Sequence, residues 1–250
     1  MTRLRETGML LASVSVLVAC GATAAAEPGW PEFLAGPAAW DPGIVYAVRR
    51  VWGEPTLHRR VVGPPAPMPV ERYLTLVDLP DVTAAAARDR GLPSPQVRWL
   101  GADWYEADDH GGARGVYRVL ARDPHRRVIL SWGRHTSHFL GDVGGSALSV
   151  LTFRDRDGET AQDIEAYVRI DDRAAAALAR ALSVVFGWLA DRKLAEGFGV
   201  SVKVARWIQE DPAGFCHWLR GADLPEARRR AAEAAAGRCA VPVTARGAGG

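Results

Sequence analysis

The chain has 250 residues, 48% of them hydrophobic and 24% charged, with 31 Lys and Arg against 29 Asp and Glu. That hydrophobic share is ordinary for a globular protein and excludes a chain disordered throughout. The formal net charge of +2 gives no compositional reason to expect nucleic acid or an acidic membrane surface as a partner.

Arg3 and Arg5 form a short positive segment ahead of the apolar run 9–19. Such a run suits the core of a signal peptide and is too short to span a bilayer. Leu17-Val18-Ala19-Cys20 resembles the bacterial lipobox, in which the cysteine receives lipid. Ala24-Ala25-Ala26 before Glu27 satisfies the small-x-small rule of ordinary signal peptidase. The lipobox is preferred, because cysteine is rare here and Cys20 sits where the motif needs it. Residues 1–19 are therefore expected to be a signal peptide. Cys20 is expected to be a lipidated membrane anchor, and the protein a periplasmic or outer-surface lipoprotein. Cleavage after Ala26 gives the alternative, a secreted form. In that oxidising setting the remaining cysteines, Cys216 and Cys239, are an even number and are expected to pair.

Residues 20–43 are rich in Ala, Pro and Gly and read as a tether or loosely docked arm. Residues 44–51 are β-branched enough for a first strand. The prolines of 63–69 force a loop. Residues 70–77 suit a short helix, and Pro80-Asp81 opens a second that Gly91 and Pro93 stop. The period then changes. Segments 96–107, 115–122, 127–135, 145–154 and 162–170 are rich in Val, Ile, Leu, Tyr and Trp. Turn clusters at 108–112, 123–125, 142–144 and 155–158 separate them, which predicts an antiparallel meander. Asp157-Gly158 is the strongest hairpin signal, since Gly accepts positive φ. In the last segment Ile164, Ala166, Val168 and Ile170 alternate with Glu165, Tyr167 and Arg169, so one face is buried and the other wetter.

Asp171 or Asp172 is a good N-cap. Leu178, Leu182, Val185 and Leu189, then Leu194, Phe198, Val202, Ala205 and Ile208, mark helical faces. They predict a long amphipathic helix over 174–208, with Gly187, Gly197 and Gly199 inside it. Residues 225–236 suggest a last, polar helix.

A strand, two short helices, a run of antiparallel strands and a long helix together resemble the START-like (SRPBCC) helix-grip superfamily, which includes polyketide cyclase-like and Bet v 1-like proteins. The resemblance covers 44–211. It leaves 212–250 as a C-terminal helical extension and tail. It implies an α+β fold whose curved antiparallel sheet packs around a long C-terminal helix and encloses an apolar ligand cavity. The implied partner is a hydrophobic small molecule or lipid, with no cofactor and no nucleic acid. Candidate lining residues are Tyr105, Tyr117, Trp132, Leu151, Phe153, Tyr167, Phe186 and Phe198; ordinary core is the competing role for each. A filled core leaves the alternative of a non-catalytic envelope protein.

The enzymatic alternative, a hydrolase or cyclase-like activity, rests on His135, His138 and Asp142. Imidazole and carboxylate can act as a base with its orienting partner. Positions i and i+3 on an extended strand face opposite sides, so the histidines converge only where the strand ends between them. No metal site is expected. There is no G-x-S-x-G elbow, P-loop or dinucleotide glycine fingerprint.

Overall fold

The computed structural model describes residues 29–137, 141–181, 198–237 and 239. Among them, seven antiparallel strands form one curved sheet in the order β1-β7-β6-β5-β4-β3-β2. The strands are β1 Leu57–Val62, β2 Gln96–Gly101, β3 Trp104–Asp108, β4 Ala113–Asp123, β5 Arg126–Ser137, β6 Gly141–Arg156 and β7 Glu159–Ile170. The helices are α1 Pro42–Gly53, α2 Val70–Val77, α3 Pro80–Asp89, α4 Arg173–Ala181, α5 at 198–210, α6 Pro212–Gly221 and α7 Glu226–Ala236. The α+β class expected from the element order is the class observed, with α5 packed on the concave face of the sheet. Strands β2 to β7 form the meander, and β1 closes on β7 with Leu57 opposite Val168.

The sheet separates two cores. On the concave side Tyr73, Leu76, Phe153, Val202, Ile208 and Phe215 pack together. On the convex side Val48, Val51, Val128, Leu130 and Leu148 do so. Alternation within each strand supplies both, since successive side chains leave on opposite faces.

The region expected to be the first strand, 44–51, is helix α1. Its apolar residues Ile44, Val48 and Val51 recur at helical spacing and are all buried. Asp41 caps the helix, its carboxylate accepting from the Ile44 amide at 3.0 Å, and Pro42 suits the first turn. Packing of that stripe on the convex face outweighs the weak β preference of the branched residues. Segment 96–107 is two strands, because the backbone reverses at Gly101 and Ala102, with φ of 109° and 43°. Residues 142–144, expected to be a turn, lie inside β6, where Asp142 pairs with Thr136, Val143 with His135 and Gly144 with Arg134. The ladder bonds outweigh the local turn preference of Asp and Gly there. The Asp157-Gly158 hairpin is as expected, with φ of 57° and 83°. Asp172 caps α4, accepting from the Ala175 amide at 2.7 Å. The centre of the expected long helix, including Leu182, Val185, Leu189 and Leu194, lies outside the described residues.

The domain is wider than 44–211 at both ends. Trp30, Phe33 and Trp40 pack around Leu34 on the convex core, and both Trp30 and Trp40 donate their indole N–H to the Ala35 carbonyl. From Trp30 onward the chain is thus docked, not a tether. At the other end, Phe215 and Leu219 of α6 and Ala232 and Ala235 of α7 are fully buried in the concave-side core. Arg72 of α2 donates to the Ala235 and Ala236 carbonyls at the end of α7, at 3.1 and 3.0 Å. The Cys216–Cys239 disulfide ties α6 to the segment after α7.

Candidate functional site

Between the concave face and helices α2, α3 and α5 lies a cavity of about 390 Å³. Its floor is the inward row of the three central strands: Tyr117 and Val119 from β4, Ile129 and Ser131 from β5, Ser149 and Leu151 from β6. Leu76, Val77, Thr83 and Ala84 come from α2 and α3, and Phe198, Val200 and Ser201 from α5. Space remains because the inward positions carry Ser131 and Ser149, while their outward neighbours are the large Leu130, Trp132, Leu148 and Val150. Gly63 lets the Phe198 ring settle at one end, for a Cβ there would stand 2.8 Å from it.

A second hollow of about 470 Å³ shares Pro95, Ala107, Tyr117 and Ser131 with the first. Its floor is bare. Gly115 pairs with Gly133 and Gly133 with Gly145 across three strands, so one row has no side chains. Asp109, Arg114, Arg134 and His135 line it, whereas none of the described residues lining the first cavity is charged.

Of the eight residues proposed to line the interior, Tyr117, Leu151 and Phe198 do so. Tyr105 is buried and stacks on Tyr117, with ring centroids 5.1 Å apart. Phe153 is filled core, edge-on to Tyr73 at 6.0 Å. Trp132 borders the second hollow, but its ring stacks on Trp104 and joins the convex core. Tyr167 also lies on the convex side, stacked on His58 at 4.4 Å and donating to the Glu165 carboxylate at 2.7 Å. Phe186 lies outside the described residues. Strand parity explains the misplacements: Trp132 adjoins Ser131 and Tyr167 adjoins Ala166, and one step along a strand changes the face. The missed lining residues include Ser131, Ser149, Thr83 and Ser201. A legible signal existed for the first two, namely small residues alternating with bulky ones along a strand.

The histidine constellation does not assemble as expected. His135 faces the same side as its partner Val143, and Asp142 the same side as its partner Thr136. His135 and Asp142 therefore leave on opposite faces. The Asp142 carboxylate instead accepts from the Thr136 hydroxyl and lies 3.9 Å from Arg134. His138 lies outside the described residues. Among the described residues no group of His, Cys, Asp and Glu is placed to hold a metal ion.

The interior phenols are neutral. Burial pushes the Tyr73 hydroxyl well up, against a hydrogen bond it donates to Gln162 at 3.0 Å. Burial does the same to Tyr117, reinforced by neighbouring Tyr105. Both are hydrogen-bond donors throughout the physiological range.

No family model and no curated protein matches this chain. Solved structures do resemble it. A conserved protein from Geobacillus kaustophilus is 17% identical, with 60% of this chain and 93% of that one covered and a TM-score of 0.43. The di-domain ARO/CYC BexL from the BE-7585A biosynthetic pathway is 17% identical over 65% of this chain and 55% of its own, with a TM-score of 0.40. CalU16 from Micromonospora echinospora is 15% identical over 73% and 99%, with a TM-score of 0.29.

Proposed function

We propose that this protein binds a small hydrophobic molecule or lipid between its curved sheet and helices α2, α3 and α5. The cavity of about 390 Å³ carries this reading. Protein interiors are close-packed, and voids larger than a water are few. A volume in the range of small-molecule sites, walled by Leu, Val, Ile, Phe and Ala with a few hydroxyls, has the make-up of a ligand pocket. Native mass spectrometry of the purified protein tests it. The wild type is expected to carry a hydrophobic adduct, and Ser149→Phe, which fills the floor, to fold without it. A wild type that takes up no hydrophobic molecule, or a filled variant that keeps it, overturns the reading.

The same proposal places the protein outside the cytoplasm, tethered by lipid on Cys20. The lipobox-like Leu17-Val18-Ala19-Cys20 supports it, and the Cys216–Cys239 bond suits an oxidising compartment. In a bacterial host fed labelled palmitate, the wild type should label and fractionate with membranes, and Cys20→Ala should do neither. An unlabelled wild type overturns the tether.

A further inference from the structure

Tyr105 and Tyr117 are direct cross-strand partners with stacked rings, yet their hydroxyls have opposite fates. Tyr105 donates to the Asp78 carbonyl and accepts from Arg228, both at 3.3 Å. Tyr117 has no hydrogen-bond partner for its hydroxyl among the described residues, and it stands where the two hollows meet. Its other cross-strand partner is Ser131. The Ser131 hydroxyl makes only a long contact, 3.4 Å, to the Ala147 carbonyl. Ser149, opposite Ile129 on the next strand, adds a third hydroxyl to the same floor.

A polar group shielded from bulk water costs free energy unless something bonds to it. Tyr117 is partly buried, its hydroxyl bonds to no described residue, and it borders the apolar cavity. The structure assigns Tyr117, backed by Ser131 and Ser149, as the polar anchor for a neutral ligand: an apolar body bearing a hydroxyl or carbonyl oxygen. This inference rests on the cavity reading above. The absence of charge among the described lining residues of the first cavity sets the second half of it. Among the described residues an ionised carboxylate buried there meets hydroxyls but no cation, and burying an uncompensated charge is far costlier than burying a neutral oxygen. Arg228 and Asp81, the nearest charges behind the tyrosine pair, neutralise each other. An alcohol, phenol or ketone seated in the first cavity therefore fits, and a fatty-acid anion seated there does not.

Three probes of one shape test this by calorimetry on the full chain: naphthalene, 2-naphthol and 2-naphthoate. The wild type is expected to bind 2-naphthol about three- to tenfold more tightly than naphthalene, the worth of one neutral hydrogen bond. It is expected to bind 2-naphthoate least. Tyr117→Phe should erase the preference for 2-naphthol over naphthalene. Its melting temperature should stay at the wild-type value, because the hydroxyl bonds to no described part of the fold. Ser131→Ala should narrow the preference independently. Equal binding of naphthalene and 2-naphthol, a preference that survives Tyr117→Phe, or tightest binding of 2-naphthoate overturns the anchor while the cavity reading stands. Failure of all three probes to bind overturns both.

Discussion

Arg228, on the last helix, grips both carboxylate oxygens of Asp81 at the start of α3. Its Nε stands 3.0 Å from Asp81 Oδ2 and its Nη2 bonds to Oδ1. The same guanidinium lies over the rings of Trp99 and Tyr105, at 5.2 and 5.6 Å. Both partners are nearly buried, with side chains 11% and 8% exposed. One ion pair thus joins α7, α3 and the β2–β3 edge, behind the tyrosine that backs Tyr117. Removing one partner leaves a buried charge without its counterion, a loss of about 3–5 kcal/mol. Arg228→Met is expected to lower stability in urea by that order. Arg230→Gln, which breaks the exposed pair with Glu226, should leave the midpoint where it is. Equal effects of the two substitutions would show that the buried pair is not a clamp.

The bare row across β4, β5 and β6 should tolerate no side chain. A Cβ on Gly115 would lie 2.3 Å from the Trp132 carbonyl oxygen, and one on Gly145 would lie 2.7 Å from that of Arg169. Both obstacles are backbone, so the strands themselves must part. Gly115→Ala is expected to cost about 1–3 kcal/mol, as overpacking does. Gly199→Ala in α5 has open space around its Cβ and should be neutral or stabilising by up to about 1 kcal/mol, the helix preference of Ala over Gly. Thermal denaturation of the pair checks the contrast.

The Cys216–Cys239 bond closes a loop with a sequence separation of 23. By loop-closure entropy this stabilises the fold by about 3 kcal/mol. The double variant Cys216→Ser/Cys239→Ser should lose that amount, and a reducing agent should lower the melting temperature of the wild type but not of the variant. A wild type insensitive to reductant would count against the bond.

Acid should loosen the β3–β4 turn first at Asp108. The His110 amide donates to its carboxylate at 2.8 Å, and Arg114 adds bonds at 3.0 and 2.7 Å. The amide foremost, then the guanidinium, hold the carboxyl below its ordinary value. The folded pKa lies below the unfolded one. The contribution to stability is therefore complete above the ordinary Asp value of about 3.9 and is lost as pH falls through the folded value. Carboxyl NMR should place the Asp108 midpoint below the ordinary one. Amide exchange at His110, whose N–H the Asp108 carboxylate accepts, should accelerate in the same acid window, and Asp108→Asn should remove that pH dependence.

Much of the strand pattern was legible because its causes are local. Asp157-Gly158 names its own hairpin through positive φ, the period-2 runs mark the ladder, and the prolines and glycines bounding α2 and α3 act within a few residues. Pairing of Cys216 with Cys239 was legible from cysteine number, an even pair once Cys20 is set aside. The site was legible only in part. Tyr117, Leu151 and Phe198 were found as apolar residues on the right elements, while Trp132 and Tyr167 were assigned to the interior against their own strand parity.

By itself the sequence determined the period of each segment, the turns that reverse the chain and the small inward serines that leave room. Tertiary structure alone decided that 44–51 is a helix, that 142–144 continue a strand, that His135 and Asp142 part to opposite faces, and that one tyrosine of a stacked pair is pinned while the other's hydroxyl bonds to no described residue. The reason is range. Dihedral preference is a property of a residue and its neighbours, but burial, register and leftover volume arise where strands and helices far apart in the chain meet.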